Sequence, residues 1–223
     1  MPLIVDAALG PVCRLGLIQA CGLRPPVARA EAPAWVVAAV EAARIAGEGH
    51  WPEGVRRAVR DLLKFGRYRA TGRGKPASEF LLNSALAGEF PVVNDVVDAN
   101  NVISLGCGYP ASVLDAELTG PDLLVRRGGA GEAYVFNRAG HAIELEDLLL
   151  VCRRTGAGWE PCGNPVKDAM ATKVHAGTTA VAAVLYQPAT EPPERLATAC
   201  RNFASLLASA CGAEKSSWSL VQS

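Results

Sequence analysis

The chain has 223 residues, half of them hydrophobic, with 22 lysines and arginines against 22 aspartates and glutamates. That length suits a single α/β-type domain with a sizeable core, and zero net charge excludes a global electrostatic pull toward nucleic acid or a membrane surface, so any RNA contact must come from a local basic patch. Seven cysteines, an odd number with no C-x-x-C pair, and three scattered histidines argue against a disulfide framework or a structural zinc site.

Residues 12–19, "VCRLGLIQ", read as a short strand, and 32–47, "APAWVVAAVEAARIAG", as an alanine-rich helix closing at Gly47. In 53–66, Val55, Ala58, Val59, Leu62 and Leu63 recur at helical spacing, with Gly66 expected to cap the end. The opposite face carries Arg56, Arg57, Arg60 and Lys64. A basic loop follows over 65–78, holding Arg67, Arg69, Arg73 and Lys75 around Tyr68. Residues 78–88 suggest a short helix with Ser78 as N-cap.

The stretch "NDVVDANNVISLGCGYPASVLD" reads as a helix and then a Gly-Cys-Gly-Tyr-Pro turn. Asn94, Asp98 and Asn101 share one helical face, with Val93, Val96 and Val97 largely opposite and Asn100 nearer the buried side. The valines are expected to face the core, and the polar row to order the turn that carries Ser112. Downstream, 122–128, 132–140, 141–145 and 148–154 suggest a meander with glycine turns, 178–188 a buried strand ending at Pro188, and 192–212 an amphipathic helix between Pro192-Pro193 and Gly212. The fold class is therefore α+β, one domain over 1–223, with helices packed on a mixed or largely antiparallel sheet. No run reaches membrane-spanning length. The opening "MPLIVDAALG" has no basic stretch leading into a long apolar one, so a reducing cytoplasm and free, mostly buried thiols are expected.

Asn94, Val97-Asp98, Asn101, Ser104-Leu105, Gly108, Pro110 and Leu114-Asp115 continue in order through Val125-Arg126, Gly131-Glu132, Glu146-Asp147, Lys167-Asp168 and Thr178. In that order and spacing, over roughly 60–212, the chain resembles the B3/B4 domain of the phenylalanyl-tRNA synthetase beta subunit, in particular the freestanding B3/B4-domain proteins. The resemblance implies an editing module that hydrolyses a wrongly attached amino acid from transfer RNA, here in trans, without a cofactor or metal. There is no room for a synthetase catalytic domain. The sequence departs from the family at two places. Two positions beyond the proline, where the editing sites carry a histidine, stands Ser112; and the strand that carries their glutamate offers only Val181, Ala182, Ala183 and Val184.

The residues left to replace them are Lys167, Asp168 and Ser112 as catalytic candidates, with Asp98, Asn101, Thr172, Thr178 and Thr179 around a pocket. Lys167 and Asp168 follow a Gly/Pro loop of the kind that lines pockets; an ammonium there would stabilise an oxyanion or hold a phosphate, and the carboxylate would receive a substrate ammonium. The plainer reading makes them an exposed ion pair, and Asp98 and Asn101 braces for backbone groups. Cys107 reads as an inert thiol, His175 as a general base or a turn residue, and His141 as exposed at a hairpin turn. Arg67, Arg69, Arg73 and Lys75 are the candidate RNA contacts. The expected partner is an aminoacyl-tRNA or an amino-acid-like small molecule, with neither DNA nor membrane. Two other readings stand beside hydrolysis: a non-catalytic module that binds transfer RNA or protein, and a pocket recruited for a free amino acid or biosynthetic intermediate.

Overall fold

The computed structural model describes residues 2–221 and shows an α+β fold. In chain order its elements are β1 (Leu3–Val5), β2 (Cys13–Cys21), α1 (Ala34–Ala46), α2 (Val55–Leu63), α3 (Ala77–Ala87), α4 (Asp95–Cys107), β3 (Ala111–Asp115), α5 (Ala116–Thr119), β4 (Leu123–Arg127), β5 (Ala133–Val135), β6 (Ala142–Glu144), β7 (Leu149–Thr155), β8 (Gly158–Gly163), β9 (Ala180–Pro188), α6 (Pro193–Ser209) and β10 (Lys215–Val221). No helix among the described residues is long and apolar enough to cross a membrane.

The strands form two four-stranded sheets. One runs β10-β2-β9-β3 and is antiparallel throughout; the other runs β1-β4-β7-β8 and is mixed, with β1 parallel to β4. The second half is not the expected continuous meander. Strands β4 and β7 pair directly, Val125 with Val151, and the chain between them leaves the sheet as a separate two-stranded hairpin, β5-β6. Helix α6 lies on β2 with Leu196, Cys200, Phe203 and Leu207 buried. A Cβ at Gly16 would stand 2.2 Å from the Cys200 sulfur, so glycine is what lets helix and strand approach. Each large apolar side chain fully buried in this core contributes about 1.5–3 kcal/mol.

Several helix ends differ from the sequence reading, and α6 among them stops at Ser209, with Ala210 at its cap position, rather than at Gly212. Helix α2 stops at Leu63 because Gly66, at φ +45°, serves a tight turn instead. The Asp147 carboxylate crowds that glycine and accepts the Arg67 N–H at 2.6 Å, leaving no space for a Cβ. Helix α3 begins at Ala77, whose N–H donates to Pro165 O at 2.8 Å; Pro76 holds the cap position and Ser78 is buried in the first turn. In α4 the cap is Asn94, its Oδ1 accepting from the Val97 N–H at 3.0 Å.

The polar row of α4 also behaves differently. Asp98 is fully buried and turned back on its own helix start, accepting the Val93 N–H at 2.8 Å, while Val93 is exposed. Burial is the main cause that raises the Asp98 pKa. The turn into β3 is braced by other residues: Ser104 Oγ donates to Tyr109 O at 2.8 Å, and Asn100 Nδ2 to Ala111 O at 3.3 Å.

Candidate functional site

Strand β3, the loop after β8 and the tip of the β5-β6 hairpin surround a cleft of about 760 Å³, closed on one side by α4. The loop, "NPVKD", is built around one buried amide. Asn164 Oδ1 accepts from the N–H groups of Val166 and Lys167 at 2.7 and 2.8 Å, an Asx-type turn. Asn164 Nδ2 donates to the Tyr134 hydroxyl at 2.5 Å, and that hydroxyl donates to Lys167 O at 2.6 Å. The same residue's N–H donates to Asp168 Oδ1 at 3.2 Å. A hairpin residue and a loop residue thereby fix where Lys167 and Asp168 stand.

Lys167 and Asp168 both line the cleft but do not pair with each other. The Lys167 ammonium sits 4.1 Å from the Phe136 ring centre, a cation–π contact. The Asp168 carboxyl is turned inward, and burial pushes its pKa up to about 6, against the lowering effects of the Ser112 hydroxyl, the Asn164 N–H and the Lys173 charge. Gly163 leaves it room: a Cβ there would lie 2.9 Å from Asp168 Oδ1. Ser112 is fully buried beneath, with Oγ 2.9 Å from the Tyr186 hydroxyl and donating to Asn164 O at 3.3 Å. Lys173 is a second ammonium in the cleft, held by a 2.5 Å bond to Phe136 O; burial lowers its pKa, with Asp168 acting in the opposite sense.

Asn101 lines the cleft too, and its side chain makes no hydrogen bond among the described residues. The other pocket candidates face elsewhere. Asp98 points back to the start of α4. Thr172 donates to Cys162 O at 3.0 Å, Thr178 to Asp115 Oδ2 at 2.5 Å, and Thr179 to Glu117 Oε1 at 3.1 Å. His175 borders the cleft, but both ring nitrogens are engaged: Nδ1 accepts from the Gly177 N–H at 3.0 Å and Nε2 lies 3.3 Å from Asp115 Oδ2. With its acceptor nitrogen occupied, the ring has no lone pair to offer water. The Cys107 thiol is pushed up to about 12 by burial and accepts from the Tyr109 N–H at 3.4 Å, which makes it inert.

Most of the basic run is neutralised. Arg56 pairs with Glu48 at 2.7 Å, Arg57 with Asp61 at 3.6 Å and Arg67 with Glu146 at 3.7 Å, while Arg60 and Lys75 share the buried Glu79. Arg69 is left with backbone carbonyls only, and Arg73 has no partner among the described residues. These two, with Tyr68, Phe136 and Lys167, line a groove of about 1070 Å³. Tyr68 turns its hydroxyl back onto Gly74 O at 2.7 Å. Lys167 is common to groove and cleft, so the basic surface runs directly into the site.

No family model and no curated protein matches the chain. Among solved structures it is similar to an N-terminal fragment of the phenylalanyl-tRNA synthetase beta subunit from Pyrococcus horikoshii, with a TM-score of 0.50 and 10% sequence identity over 96% of this chain. The likeness is one of fold. The chain spans about half of that fragment, 49% of its length. Sequence reasoning missed Asn164, Tyr134 and Lys173, which come from separate segments and converge only on folding; the one signal in the sequence was the Asn-Pro start of the loop.

Proposed function

We propose that residues 1–223 form one B3/B4-like unit that hydrolyses the ester of mischarged aminoacyl-tRNA in trans. The observation that carries this reading is Asp168: a carboxylate with a pKa near 6, in a cleft with two ammonium groups, at the end of a basic groove. The fold likeness to a synthetase fragment supports a tRNA-related role. A base with a pKa close to the working pH is suited to taking a proton from water. In the proposed step, water attacks the ester carbonyl while Asp168 takes its proton. Lys167 and Lys173 stabilise the oxyanion that forms. The intermediate collapses, the carbonyl re-forms, and the terminal ribose oxygen leaves with the proton returned by Asp168, giving free amino acid and transfer RNA. Ser112 does not attack, since its hydroxyl is committed below the cleft floor to Asn164 O and the Tyr186 hydroxyl.

The departures at Ser112 and at Val181–Val184 favour a second reading, in which the cleft binds an amino acid or aminoacyl end without hydrolysing it. Deacylation assays against a panel of mischarged transfer RNAs, tyrosyl-tRNA(Phe) included, separate the two. Hydrolysis above the spontaneous rate that disappears in Asp168→Ala supports the enzyme. A folded protein that hydrolyses none of them leaves the binding reading.

A further inference from the structure

A third hollow, of about 600 Å³, lies between the groove and the cleft. It shares Arg73 and Lys167 with the groove, and Asn101 and Lys167 with the cleft. Its wall includes Phe80, on the outer face of α3, which leaves 59% of its surface exposed. Asn83 stands one turn along the same helix, and its side chain, like those of Arg73 and Asn101, makes no hydrogen bond among the described residues. An exposed aromatic face, an unpaired guanidinium and two idle amides are therefore gathered in one concavity of a size common for small-ligand sites.

We infer that this hollow is a nucleotide subsite, taking one unpaired nucleotide of a single RNA strand with its base against Phe80, its phosphate on Arg73 and its base edge toward Asn83 or Asn101. The chemistry of the three groups matches the three parts of a nucleotide: π-face to π-face, guanidinium to phosphate, amide to the donor–acceptor edge. A duplex does not fit, because paired and stacked bases offer no free face to an aromatic ring. The position between groove and cleft sets the direction of the strand, backbone along Arg69 and Arg73 and terminal residue toward Asp168. That last assignment rests on the proposed reading of the cleft; the nucleotide subsite itself does not.

Fluorescence anisotropy with an end-labelled, unacylated RNA pentanucleotide tests it without any ester being present, so failure of hydrolysis and failure of this subsite remain separate results. The expected outcome is saturable binding of the single strand, weakened about tenfold by Phe80→Ala and restored by Phe80→Tyr. The same sequence in a duplex should bind much more weakly. Unchanged affinity in Phe80→Ala, or equal affinity for the duplex, overturns the assignment. Adenosine monophosphate that binds as tightly as the strand also overturns it, in favour of a site for free nucleotides. Phe80 is exposed, so its replacement does not threaten the fold.

Discussion

Asp168 carries opposite consequences for stability and for chemistry. Its folded pKa of about 6 lies above the ordinary carboxylate value, so the folded state holds the proton more tightly than the unfolded chain does. The stability this provides is fully present below about pH 4 and is lost as pH rises through about 6, a difference of up to about 3 kcal/mol. Asp168→Asn should therefore melt at a higher temperature than the parent at pH 8, and the two should converge near pH 4; equal melting at pH 8 would show that burial does not penalise the charge. The same variant should lose hydrolysis by about a hundredfold or more if Asp168 is the base. Lys173 acts on the same proton. Its charge helps keep Asp168 ionised, so Lys173→Met should move the midpoint of the pH–rate profile upward, and Lys173→Arg should bring it back. An unmoved midpoint with a lower plateau would assign Lys173 to the oxyanion alone. Lys167 and Asp168 were legible as pocket residues from their Gly/Pro loop. Lys173 was not, since nothing local marks a lysine whose neighbours arrive from a hairpin and another loop.

Among elements, the loop 164–168 and the β5-β6 hairpin behave as one part. Asn164 joins them through Tyr134, and the Lys173 bond to Phe136 O ties the hairpin tip to the opposite rim. Asn164→Ala strips a buried amide from two backbone N–H groups and one phenol, so it should cost about 2–3 kcal/mol and disperse Lys167 and Asp168, abolishing hydrolysis. Asp6→Ala is the control: its carboxylate accepts the Ala8 N–H at 3.0 Å outside the cleft lining, so losing this cap costs about 1 kcal/mol and should leave the rate unchanged. Denaturant melts and the deacylation assay on both variants check the contrast. Helices α2 and α6 were readable because each buries one face at a regular period, and β9 because its largely apolar run is nine residues long and ends at a proline. Strands β3, β8 and β10 were not. "ASVLD" is buried at every position and so lacks alternation; "GWEPCG" is interrupted by Pro161; "KSSWSLV" is rich in serine and exposed almost throughout. The hairpin's departure from the sheet was equally hidden, because β4 and β7 choose each other across 20-odd residues by burial, not by proximity.

Over the whole molecule, zero net charge conceals a local asymmetry. Acidic partners cancel most of the arginines beside α2, while Arg69, Arg73, Lys167 and Lys173, none of them in a salt bridge among the described residues, gather around one concave path. RNA bound there should lose affinity with added salt, with a log–log slope of about −2 if three phosphates are met along a single strand. Charge reversal at Arg73 should flatten that slope by about 0.7; reversal at Arg57, already paired with Asp61, should leave it unchanged. A salt-insensitive affinity would put the RNA surface elsewhere. The seven thiols divide just as unevenly. Five are buried and Cys107 is half-covered with its thiol pushed up to about 12, while Cys21, at the end of β2 opposite Lys215, is exposed. Under non-denaturing conditions one maleimide should attach at that position alone. The native chain is thus equipped for single-site fluorophore labelling without mutagenesis, and a dye at Cys21 reports when β10 peels away from its neighbour.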